Sequence, residues 1–199
     1  FNFFFVSFCL ITVLNGHNLM DGLNGFVSGN LLLISISIFF IISNNNLVLG
    51  NDFHKTVEML ITICLIFFLF NVFGLCFLGD NGIYIFSLFI SLMVIAFVQK
   101  SYDQVSPLVA ASFLWYPAYE NLFTIIRRFK KNKSISRPDK FHLHILLKNL
   151  ILKKFKKKLN YSKLNSISGI FINIFLLPNF ILSIYWYDSS IKLLYLIIF

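Results

Sequence analysis

Asn15-Gly16-His17-Asn18-Leu19-Met20-Asp21-Gly22-Leu23-Asn24-Gly25 packs one carboxylate, three asparagines, a histidine and three glycines into eleven residues. It stands between two almost wholly apolar runs, Phe3 to Leu14 and Leu31 to Ile42. Asn and Asp offer oxygen and amide groups to a phosphate, a sugar or a hard cation, and Gly lets a backbone turn tightly against a ligand. A solvated turn between two membrane helices is the plainer reading of such a knot. Two further polar clusters decide between them, once the chain has been threaded through a membrane.

Of the 199 residues, 58% are hydrophobic and 13% charged, with a mean hydropathy of +0.80. That surface has no soluble solution at this length, so the expected fold is all-α, a polytopic transmembrane helix bundle forming one membrane domain over residues 1–199. The chain opens and closes inside apolar runs, which reads as the C-terminal part of a longer protein. Cys9, Cys64 and Cys76 lie in or beside apolar runs, which points to packing and away from a disulfide framework.

Spans near the required length of about 20 residues are expected at 1–14 (the end of one), 25–42, 57–73, 85–98, 107–126 and 167–186, the last interrupted by Pro178, with another starting at Ile191. Thirteen of the seventeen Lys and Arg fall between Arg127 and Lys158, so the basic, His-containing segment 127–163 is placed in the cytoplasm. The net charge of +9 is therefore a topology signal, not a nucleic-acid footprint. Counting spans backwards, the cluster Phe77-Leu78-Gly79-Asp80-Asn81-Gly82-Ile83-Tyr84 and the first knot fall on that same side. The external loops are plain.

Asp21 and Asp80 each precede a glycine and a span, where a carboxylate also serves as a helix N-cap. Two of them on one face, with Asn18, Asn24 and Asn81 alongside, fit a hard cation that holds a phosphorylated ligand, because magnesium takes one or two carboxylates and completes its shell with phosphate oxygens. In Ser136-Arg137-Pro138-Asp139-Lys140-Phe141-His142-Leu143-His144, the two histidines share a face only if extended. With Arg137 and Lys140 they suit a diphosphate better than zinc, for which only His17 offers a distant third soft ligand. Lys153 to Lys158 reads as a basic surface helix. Glu120, beside Pro117, is an acid in or at the end of a span with its role open.

These residues resemble a known family. Asn18 to Gly25 is similar to the Asn-x-x-Asp-Gly-x-Asp-Gly motif of polyprenyl-phosphate N-acetylhexosamine-1-phosphate transferases. Phe77 to Gly82 looks like their Phe-Leu/Met-Gly-Asp-x-Gly motif, and Pro138 to His144 like their Pro-Asp-x-x-His-x-His loop. The resemblance implies transfer of a sugar-1-phosphate from a UDP-N-acetylhexosamine to undecaprenyl phosphate, with release of UMP, at the cytoplasmic face of a bacterial inner membrane. It implies magnesium, with manganese as a substitute, on Asp80 and Asp21 as the catalytic, metal-holding pair. Asn15, Asn18, Asn24, Asn81, Arg137, Asp139, His142 and His144 are then the substrate-binding set, and a homodimer is an option. Three departures stand out: Asn24 where the family carries a second Asp, Ile83 where it carries a small polar residue, and Ile145 where many members carry another His. The family's adjacent-aspartate motif is expected before Phe1, so residues 1–199 alone lack it. A transporter or flippase piece, or an inactive relative that binds UDP-sugar or lipid, is the rival reading.

Overall fold

The computed structural model describes residues 3–45, 47, 49–130, 142–155 and 160–198. Among them every regular element is helical: α1 Phe3–Met20, α2 Phe26–Asn44, α3 Asn51–Val72, α4 Gly79–Lys100, α5 Leu108–Lys130, α6 Leu143–Phe155, α7 Tyr161–Tyr185 and α8 Ser190–Ile198. Five of these, α1, α2, α3, α4 and α7, are long and apolar enough to cross a membrane. The protein is a multi-pass helical bundle. Its exposed surface carries the expected lipid-facing side chains, among them Phe4 and Phe8 on α1, Ile66 and Phe70 on α3, and Ile85 and Phe89 on α4.

α2 is the centre. In its apolar window 72% of residues are buried, against 22% for α3. An element hydrophobic all round either faces lipid or fills a core, and α2 fills the core, with Leu31, Ile34, Ile38 and Ile41 excluded from the surface. α3, α4 and α7 pack on it, while α1 lies chiefly between α4 and α5. Short connections make neighbours antiparallel, so the 21–25 turn, the 73–78 connection and the start of α6 come to one end of the bundle.

Side-chain amides bind the helices to one another. Asn121 Nδ2 donates to the Thr12 carbonyl at 3.1 Å, joining α5 to α1, and Asn179 Nδ2 donates to the Ser112 carbonyl at 2.9 Å, joining α7 to α5. Inside α1 and α2, His17 Nε2 and Asn30 Oδ1 meet at 3.1 Å in full burial. Lipid supplies no competing hydrogen bonds, so such contacts fix register at about 0.6 kcal/mol or more apiece.

Several boundaries differ from the sequence expectation. α1 continues through Asn15, Gly16, His17 and Asn18 to Met20, leaving only residues 21–25 as the turn. Its apolar face carries on packing there, through buried Thr12, Val13, Gly16 and Met20. Pro178 does not interrupt α7, which runs unbroken from Tyr161 to Tyr185. The basic segment is more than a loop: α6 folds back onto α7 and brings a buried histidine with it. All three cysteines are free, Cys64 in the core and Cys9 exposed.

Candidate functional site

The first knot is shaped by Gly25. It adopts φ 78°, a left-handed conformation that glycine takes without strain, immediately before α2. Its N–H donates to Asn71 Oδ1 at 2.7 Å, and its carbonyl accepts from Asn173 Nδ2 at 2.7 Å. Asn71 also accepts from Ser28 Oγ at 3.1 Å and donates to the Cys76 carbonyl at 2.8 Å. One buried amide thus ties the 21–25 turn, at the start of α2, to the 73–78 connection that delivers Asp80. Replacing Asn71 with Ala leaves buried donors and acceptors unpaired. A loss of about 1–3 kcal/mol in unfolding free energy is expected, measured by denaturation in detergent.

Asp21 and Asp80 both stand exposed at this end, Asp21 in the turn and Asp80 in the first turn of α4. Neither α2 nor α4 takes a side-chain cap hydrogen bond, so neither carboxylate is consumed as the cap that its position suggested. Partial burial raises the Asp21 carboxyl above its ordinary value; the Asp80 charge raises it further, and nearby His144 pulls the other way. The two acids are near enough to repel. Asn81 is exposed beside Asp80, Asn18 is half-buried, and Asn15 is exposed one turn before it on α1.

Asn24 is placed differently from its neighbours. It is buried, donates to Ser166 Oγ at 3.4 Å and accepts from Asn165 Nδ2 at 3.2 Å, so its amide is turned to α7. The sequence expectation grouped it with the substrate residues; in the structure both ends of its amide are taken up by α7 side chains. His17 is likewise turned inward, to Asn30, away from the other histidines' cluster.

His142 precedes α6, its carbonyl accepting from the Ile145 and Leu146 N–H groups at 3.0 Å each, and His144 is in the first turn. Because His142 is outside the helix, the two rings do not diverge. They stack with centroids 5.4 Å apart and planes 16° apart. Both are buried. His144 also meets the Phe26 ring at 5.8 Å, and a Cβ at Gly22 would lie 3.3 Å from His144 Nε2. The third motif is thereby seated against the first.

Glu120 is the residue whose role the sequence left open. It is 2% exposed on α5 and receives the Tyr116 hydroxyl at 3.2 Å, one helical turn back. His142 Nδ1 lies 3.5 Å and His144 Nδ1 3.6 Å from its two carboxylate oxygens. The i, i+4 spacing of Tyr116 and Glu120 was the available sequence signal. Arg137 and Asp139 lie outside the described residues. Among the described residues no group of three or more His, Cys, Asp or Glu side chains is gathered as a metal cage. A cation here would rest on Asp21 and Asp80 and be completed by ligand oxygens, which suits magnesium and relieves the repulsion between the two acids.

The chain is 28% identical over 137 residues to a probable undecaprenyl-phosphate N-acetylglucosaminyl 1-phosphate transferase of Bacillus subtilis (strain 168). The match covers 68% of this chain and 37% of that relative, so the chain spans well under half of its length. No family model matches the chain, and no solved structure matches it. With the motif order of residues 18–25, 77–82 and 138–144, that likeness supports the resemblance to the polyprenyl-phosphate N-acetylhexosamine-1-phosphate transferase family.

Proposed function

We propose that this chain carries the nucleotide-sugar and metal side of a sugar-1-phosphate transferase. In the complete protein, a UDP-N-acetylhexosamine gives its sugar-1-phosphate to undecaprenyl phosphate and UMP leaves. The reaction would run at the cytoplasmic face of a bacterial inner membrane and begin a cell-envelope polysaccharide. The observation that supports this reading is the convergence at one bundle end: His144 lies against Gly22, and Asp21 is within electrostatic reach of Asp80.

The chemistry matches the parts. An oxygen of the lipid phosphate attacks the phosphorus that bears the sugar, and the bond to the UMP oxygen breaks. Such a transfer needs in-line positioning and neutralised charge more than covalent help from the protein. Magnesium, when bound, would neutralise charge on the diphosphate. Asp21 and Asp80 would hold it, with Asn18 and Asn81 beside them for polar contacts. The Nε2 edges of His142 and His144 would meet the phosphates or the nucleotide, with Arg137 adding a cation. Exposed apolar helix faces leave room for the polyprenyl tail in the bilayer.

His144→Ala is the direct test. A charge-assisted hydrogen bond is worth about 1.5–3 kcal/mol, so the KM for the UDP-sugar is expected to rise by roughly tenfold to a hundredfold while that for the lipid phosphate holds. Steady-state assay of UMP release with each substrate varied in turn checks it. Unchanged KM for the nucleotide sugar would return the histidine pair to a packing role. A transporter would instead set its polar residues near the bilayer midplane; here Asp21 and Asp80 are exposed at helix ends.

A further inference from the structure

We propose that Glu120 is the positioning residue of this site: one buried carboxylate, shared by two imidazoles, fixes both rings by their Nδ1 edges and so presents both Nε2 edges to the ligand. This rests on the transferase reading and extends it to a residue that none of the three motifs contains. Three observations carry it. Both Nδ1 atoms lie within ion-pair reach of Glu120, one per carboxylate oxygen. Neither Nδ1 has another partner among the described residues. The far edge of His144 faces Gly22, in the turn that holds Asp21.

A ring gripped at Nδ1 cannot flip or tilt freely, and its Nε2 is aimed by default. The distances of 3.5 and 3.6 Å are long for hydrogen bonds. They are the length expected of a poised contact that tightens when ligand arrives. Tyr116 holds the carboxylate from behind, so Glu120 cannot swing to follow one ring and abandon the other.

Charge has a part as well as aim. Two parallel imidazoles at this spacing oppose each other if both are protonated, and one carboxylate between them offsets that. Among the described residues, the ionisable groups that act on the cluster are Tyr116 on α5, which bonds Glu120, and Asp21 in the turn, which feels both His144 and Asp80. With each Nδ1–H turned to the carboxylate, a ring that also donates from Nε2 to a diphosphate carries both protons. Without the Glu120 carboxylate nothing holds Nδ1, and neither the orientation nor the tautomer of the rings is set.

The test compares Glu120→Gln and Glu120→Asp in the full-length protein, in detergent or nanodiscs. Gln keeps size and hydrogen bonding but drops the charge; Asp keeps the charge on a shorter stem. Glu120→Gln should lower kcat/KM for the UDP-sugar by about tenfold to a hundredfold and leave the KM for lipid phosphate in place. Glu120→Asp should recover part of the loss. A second readout needs no turnover: the ring-nitrogen NMR signals of His142 and His144, which report the tautomer and the contact at Nδ1, should move in Glu120→Gln and return toward wild type in Glu120→Asp. Unmoved histidine ring signals, or equal losses in Gln and Asp, overturn the proposal and leave Glu120 a packing residue. A wild-type protein that releases no UMP while its histidine signals move as stated would sink the transferase reading and leave the positioning role intact.

Discussion

Asp80→Asn in the full-length protein is expected to cut divalent-dependent UMP release by about a thousandfold or more, with the protein still inserted and folded. On the proposed reaction, the magnitude follows from removing one preorganised charge from a site where charge neutralisation would be the main catalytic resource. The side chain stands exposed in the first turn of α4 and takes no part in capping, so an amide fits without disturbing the helix. Asp21→Asn should behave alike in activity, but differently in stability. Burial, and behind it the Asp80 charge, raises the folded-state pKa of Asp21, so the folded chain holds that proton more tightly than the unfolded chain does. Stability therefore falls as pH rises from the ordinary carboxylate range through the raised value, and the penalty persists at neutral pH. An amide removes it. Asp21→Asn should melt slightly higher than wild type at pH 7 without magnesium, and should lack the upward shift in Tm expected of wild type when magnesium is added. Thermal unfolding with and without the ion reads both. Retained magnesium-dependent turnover in either variant would dismiss the carboxylate pair as the cation site.

Gly16→Val should be the most damaging single change away from the chemistry. A Cβ at Gly16 would collide with the backbone carbonyl of Pro117, so α1 and α5 touch with nothing between them. A flexible side chain could move aside, but a helix backbone cannot. Overpacking of this kind costs about 1–3 kcal/mol even where side chains can adjust, so about 3 kcal/mol is the expected loss in unfolding free energy. The consequence reaches the site because the two helices carry its halves: Asn18 lies on α1 and the Asp21 turn follows it, and Glu120 sits one turn beyond Pro117. Activity should fall with stability, unlike in Asp80→Asn, and detergent unfolding curves beside UMP assays separate the two cases. A fully stable Gly16→Val would show that the α1–α5 contact is looser than described.

The sequence by itself determined that this is a helical membrane bundle. No arrangement but spans hides 58% hydrophobic residues in runs of this length. It also put the polar clusters at one end, since alternating short connections allow little else. What it could not settle was which polar residues of a cluster face the site. Asn24 and Asp21 are three apart in one motif, yet one is buried against α7 and the other stands at the rim. That depends on α7, whose Asn165, Ser166 and Asn173 lie some 140 residues away in sequence. Glu120 was visible as a lone acid in an apolar stretch, but its partners come from a segment that folds back more than twenty residues later, and no periodicity encodes that return. Local pattern fixes where helices begin and which end they share. Only packing between distant helices decides which carboxylate meets which imidazole.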